Sequence, residues 1–138
     1  MPQASVVTSS IAASRYAPSQ FECSWRPAGS GSGAAWVHLA GEVDLANTPE
    51  LRRALRDAQL YARMVVLDLR KVTFIESSGV HVILDAAANV QPGNGRLIVV
   101  RGPAHVDRVL TLTSVSSQVL IVDIDPNDPP VRALLHIA

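Results

Sequence analysis

In the stretch FIESSGVHVIL, residues 74–84, two adjacent hydroxyls follow an acid and precede a glycine, between an apolar run and a helix-like pattern. Ser77 lies at or just before the start of that helix, where the first backbone N–H groups lack carbonyl partners. Two roles suit a serine there. Its hydroxyl can cap the helix, one of the commonest uses of serine at such a position. It can also carry a phosphate, because the free amides and dipole of a helix start favour negative charge. Phosphorylation adds about −1.5 to −2 charges to a small neutral surface, enough to make or break a protein contact. Position alone favours capping, and spacing does not settle the matter.

Other constellations compete for attention. Ser77, His81 and Asp85 recur every four residues and could form a ladder on one helical flank. A Ser–His–acid catalytic set also needs an oxyanion hole and a substrate pocket, and its members normally come from separate segments. No G-x-S-x-G elbow is present, so the ladder reads as solvated surface. His38, His105 and His136 are scattered without metal-ligand spacing. The glycines of SGSG and PGNG lack the lysine and helix context of a phosphate-binding loop. Cys23 is the only cysteine, which excludes an internal disulfide and a cysteine metal cluster. It reads as a small apolar residue in a strand. The expectation is a protein that is not an enzyme and holds neither metal nor cofactor.

The 138 residues suit one domain with a real core, since 48% are hydrophobic and only 17% charged. A formal net charge of zero argues against nucleic acid as a partner, because phosphate binding needs a basic excess or stripe. The nearest approach to a stripe is LRRALR, residues 51–56, whose arginines are spaced as the wet face of a helix. No apolar run approaches the roughly 20 residues of a membrane span, so no membrane insertion is expected. Residues 1–20 have no basic start followed by an apolar block, and read as a flexible tail rather than a signal peptide. The expected location is the cytoplasm.

Strands and helices must position these residues. FECSWR (21–26) alternates as a half-buried strand, PAGSGSGA (27–34) can reverse the chain, and AWVHLAG (35–41) reads as the second strand of a hairpin. A helix follows, with Asn47 or Thr48 able to cap it, Pro49 in its first turn, and Leu51, Leu55 and Ala58 on its apolar face. MVVLDL (64–69) and RLIVV (96–100) have the near-continuous apolar character of buried parallel strands. GVHVILDAAANV (79–90) forms a helix ended by Gly93 and Gly95, PAHVDRVLTLT (103–113) another, and SQVLIVDI (117–124) a last strand. A closing helix is expected at about 130–137. The alternation predicts an α/β domain over residues 21–138: a mostly parallel mixed sheet, opened by an antiparallel hairpin and linked by crossover helices. In the helix after the serines, Val80, Ile83, Leu84 and Ala87 should pack on the sheet, leaving Ser78, Val82, Asp85 and Asn89 in solvent. Val82, apolar on a face expected to be wet, is a candidate partner contact.

The elements GEVDLANTPELRRAL and VVLDLRKVTFIESSGVHVIL, some twenty residues apart, resemble the STAS domain of bacterial anti-sigma factor antagonists. The resemblance spans roughly residues 21–124, and the two motifs in this order are far more specific than either alone. It implies the STAS fold and a switch. In that family the unmodified antagonist binds an anti-sigma factor with serine kinase activity and so frees a sigma factor for transcription. The kinase phosphorylates the first serine after the acid, the modified antagonist lets go, and a metal-dependent serine phosphatase restores it. By motif the phosphoacceptor is Ser77, Ser78 is the second hydroxyl, and Asp44 is the acid near the phosphorylation site. Glu76 and Gly79 flank the serine pair, and Asp44, Ser77, Ser78, His81, Val82 and Asp85 are the expected partner contacts. ATP and Mg²⁺ belong to the kinase. Glu76 stands where aspartate is commonest and reaches about one methylene further, while His81 replaces what is often a second glycine. An alternative within the same fold is an unphosphorylated scaffold or subunit in a transporter or stress-signalling assembly.

Overall fold

The computed structural model describes residues 20–28, 33–90, 93, 95–130 and 132–133. The expected tail up to residue 19, residues 29–32 of the hairpin loop and most of the expected closing helix lie outside the described residues. β1 (Phe21–Pro27) and β2 (Ala34–Val43) pair antiparallel, with Phe21 opposite Gly41 and Pro27 opposite Ala35. There follow α1 (Thr48–Tyr61), β3 (Met64–Ile75), α2 (Ser77–Ala88), β4 (Arg96–Val100), α3 (Ala104–Thr111), a 3-10 turn at Val115–Ser117, and β5 (Leu120–Val122). From β2 onward each strand pairs in parallel with the next, so spatial order equals chain order across the five-stranded sheet. The expected α/β mixed sheet with its opening hairpin is what the chain forms.

That order fixes where the helices go. A chain that steps one strand at a time in one direction, by right-handed crossovers, lays every crossover helix on the same face. Accordingly Ala35, Val37 and Leu39 of β2 and Val65, Leu67 and Leu69 of β3 share one core with Leu51, Leu55, Val80, Ile83 and Leu110 of the helices. Burying each large aliphatic side chain there stabilises by about 1.5–3 kcal/mol. The alternate residues Val66, Ile98, Val100 and Val122 face the other way and form a smaller cluster with Ala133. One face is covered by helices, the other only in part.

Three boundaries differ from expectation. β3 runs on to Ile75 rather than ending at Leu69. Its last pair with β4 is Asp68 with Val100; beyond it only β2 lies alongside, so a continuous apolar run is no longer needed. Val72 and Ile75 turn into the core while Lys71, Thr73 and Phe74 are exposed, and His105 of α3 contacts the Thr73 carbonyl. β5 is confined to Leu120–Val122, because the chain first makes the 3-10 turn at Val115–Ser117. α2 starts at Ser77, two residues before the expected helix. Gly41 has a backbone duty of its own. Its φ is 90°, and a Cβ there would fall 1.9 Å from the Gln20 carbonyl oxygen, which accepts the Glu42 N–H at 2.9 Å.

Candidate functional site

β2 and β3 end side by side, Val43 opposite Ile75, so the residues that follow, Asp44 and Glu76, emerge together at the carboxyl edge of the sheet. The Glu76 N–H donates to the Val43 carbonyl at 3.0 Å, which continues the strand pairing by one step. The loop after β2 folds on its own side chains. Asp44 Oδ1 accepts from the amides of Ala46 at 3.0 Å and Asn47 at 3.3 Å, the local turn that aspartate favours. Asn47, only 1% exposed, accepts the Asp44 N–H on Oδ1 at 2.9 Å and donates from Nδ2 to the Glu42 carbonyl at 2.8 Å. Asn47 occupies the position before α1, as expected of a cap, yet no side chain caps that helix. Its amide instead clamps the loop.

The loop after β3 is tied to this one. Glu76 has extended backbone, φ −92° and ψ 168°, and immediately precedes α2. Its carbonyl accepts the first helical bonds, from Gly79 at 3.0 Å and Val80 at 3.2 Å. Its carboxylate Oε1 reaches back to accept the Leu45 N–H at 3.2 Å. The additional methylene of glutamate thus bridges the two loops. Gly79 lets α2 approach the strand ends: a Cβ there would meet Val43 Cγ1 at 2.7 Å and Ile75 Cγ1 at 3.0 Å.

Ser77 is the first residue of α2 and is exposed. No side chain caps α2, so the capping role open to Ser77 is not the one its hydroxyl takes. The hydroxyl stands at the positive end of the helix dipole, beside the loops that carry Asp44 and Glu76. Ser78 was expected in solvent but is half-buried, and its Oγ is shut away from water without a partner among the described residues. His81 is exposed, one turn further along α2. Asp85, also exposed, pairs with Arg52 of α1 at 2.9 Å. The ladder Ser77–His81–Asp85 therefore ends in a surface ion pair, the kind worth at most about 1 kcal/mol.

Val82 corrects an expectation. It is 2% exposed and belongs to the main core, so it is not a surface contact. α2 packs on α1 as well as on the sheet, and its buried arc of Gly79, Val80, Val82, Ile83 and Ala86 is wider than a stripe facing the sheet alone. Beside the two loops the exposed apolar side chains are instead Leu45, 72% exposed, and Phe74, 45% exposed, which the sequence pattern did not single out. Leu45 sits inside the GEVDLAN element, and Phe74 two residues before Glu76. Ending β3 at Leu69 left Phe74 without a face.

Among the described residues, no cluster of three or more His, Cys, Asp or Glu side chains could hold a metal ion. No helix among them is long and apolar enough to cross a membrane. The fold matches solved structures. An anti-sigma factor antagonist from Mycobacterium paratuberculosis aligns with a TM-score of 0.71 and 21% identity, over 88% of this chain and 97% of that one. The anti-sigma factor antagonist SpoIIAA in its unphosphorylated form aligns with a TM-score of 0.63 and 17% identity, over 83% and 96% of the two chains. The phosphorylated form of SpoIIAA, a Bacillus cell fate determinant, gives 0.59 and 16%, over 83% and 99%. At these identities the likeness establishes the fold. Residues 31–127 match the family model of the STAS domain, most of the chain and both motifs, and the chain belongs to the STAS domain family.

Proposed function

We propose that the chain is an anti-sigma factor antagonist: unmodified, it binds an anti-sigma factor serine kinase, and phosphate on Ser77 switches that binding off. The observation that carries the reading is the exposed Ser77 side chain at the first position of α2, where free amides can receive a phosphate. Support also comes from the similar folds, which include an antagonist with an unphosphorylated and a phosphorylated form. In this reading the chain is the kinase's substrate, and nucleotide and Mg²⁺ are the partner's. A serine phosphatase resets it.

The physics of release follows from the neighbours. Asp44 and Glu76 already place two carboxylates near the start of α2, and phosphate adds about −1.5 to −2 more. A partner that covers this edge must then desolvate a dense cluster of like charge, which is costly unless it supplies matching cations. The exposed Leu45 and Phe74 are the apolar anchors for such a partner, with Asp44, His81 and Asp85 as polar contacts around them. Incubation with the cognate kinase and ATP, followed by peptide mass spectrometry, should place one phosphate on Ser77 and none on Ser77→Ala protein. Phosphate on another residue of the wild-type chain would contradict the assignment.

A further inference from the structure

The sheet face turned away from the helices holds a cleft of about 480 Å³, within the size range of small-molecule sites. Its floor is Trp36 and His38, whose rings meet edge-on with centroids 6.3 Å apart. One wall is the segment carrying Pro126, Pro129 and Pro130. Arg70 fastens that wall: its guanidinium donates to the carbonyls of Asp125 at 2.6 Å and Asp128 at 2.8 Å. The same guanidinium grips both oxygens of Asp68, at 3.0 Å and 2.9 Å. Arg70 therefore builds the cleft and leaves Asp68 neutralised. Asp128 turns its carboxylate to Arg132 at 3.4 Å.

The charges left over are of one sign. Arg26 and Lys71 both line the cleft, both are exposed, and neither is joined by an ion pair to a described acid. The Arg26 guanidinium lies over the Trp36 ring at 4.9 Å, a contact that holds its planar fork in place. A largely apolar cleft with an aromatic floor and two unmatched cations in its lining selects a ligand with an aromatic body and a negative charge. We propose that this cleft binds a small anion with an aromatic body, its carboxylate drawn by the positive charges of Arg26 and Lys71 and its ring laid against the prolines and the Trp36–His38 floor. A bare inorganic anion leaves the apolar walls wet, and a neutral ring leaves both cations unpaired. Guanidinium and carboxylate suit each other because they can form two parallel hydrogen bonds.

The test uses the full chain and 1-naphthoate as probe, followed by calorimetry and tryptophan fluorescence. One-site saturable binding is expected, with quenching that disappears in Trp36→Phe protein. The alcohol 1-naphthalenemethanol, of the same shape without the charge, should bind at least about tenfold more weakly, the loss expected for a charge-assisted hydrogen bond. The double variant Arg26→Gln, Lys71→Gln should lose at least about the same factor for naphthoate while melting as the wild type does, since both side chains are exposed. Ser77→Ala should bind the probe unchanged. Absence of saturable binding, including through occupation of the cleft by the chain's own terminal residues, overturns the proposal. Equal affinity for acid and alcohol, or full affinity in the double variant, does so equally.

Discussion

Asn47 gives both ends of its side-chain amide to the backbone of its own loop, accepting from Asp44 and donating to Glu42. Truncation would leave the part-buried Asp44 N–H and Glu42 carbonyl without their partner, each costing about 1–3 kcal/mol where water cannot replace it. Asn47→Ala should therefore lose about 2–4 kcal/mol in urea denaturation, far more than removal of a helix cap, which typically costs about 1 kcal/mol. A loss no larger than that would show that the clamp is unimportant. At this scale the sequence was partly legible. The acid–Ser–Ser–Gly order singles out Glu76 and Ser77, and the GEVD element Asp44; the structure brings the two loops that carry them together at one sheet edge. The duty of Asn47 was not visible, since an asparagine before a helix reads as a cap. The burial of Ser78 Oγ, the bridge from Glu76 to Leu45 and the exposure of Phe74 all depend on two loops meeting in space.

At the scale of elements, the start of α2 is held against the ends of β2 and β3 by the missing side chain of Gly79. In an open helix, replacing glycine by alanine gains about 1 kcal/mol. Here the new methyl would sit 2.7 Å from Val43 Cγ1 and 3.0 Å from Ile75 Cγ1, and overpacking of that kind costs about 1–3 kcal/mol. Gly79→Ala should lower the thermal midpoint and tilt the first turn of α2, read as shifts of the Ser77 and Ser78 amide resonances. A raised midpoint would mean that the contact is not tight. Helix and strand order was readable because the hydrophobic period changes cleanly from element to element. Lengths were less so: the polar residues Arg70 and Lys71 hid the continuation of β3, whose apolar residues thin out because β4 has already ended. Val82 was misplaced because the sequence shows that a helix has an apolar arc but not that a second helix shares it.

Across the whole molecule the strongly packed face is the one covered by helices, and Cys23 reports on it. Burial, and then the nearby Glu50 charge, push its thiol from 9.0 up to about 12. A folded value above the unfolded one means that the thiol's contribution to stability is complete below about pH 9 and is lost as pH rises from 9 towards 12. Iodoacetamide at pH 8 should label Cys23 slowly in the native protein and fast in urea, with stability falling across that alkaline window. Rapid native labelling would contradict this burial. The opposite face is thinly covered, by a segment whose Asp125 and Asp128 carbonyls Arg70 binds while Asp68 pairs with its guanidinium, and nothing in the sequence pattern announced a cleft there. The proposed switch lies at the carboxyl edge of the sheet, where Ser77, Leu45 and Phe74 meet the solvent. That reading is tested most directly by the affinity of the full chain for the anti-sigma factor kinase proposed as its partner, measured by calorimetry before and after stoichiometric phosphorylation of Ser77. Phosphorylated chain should bind at least about tenfold more weakly; equal affinity of the two forms would rule out the switch.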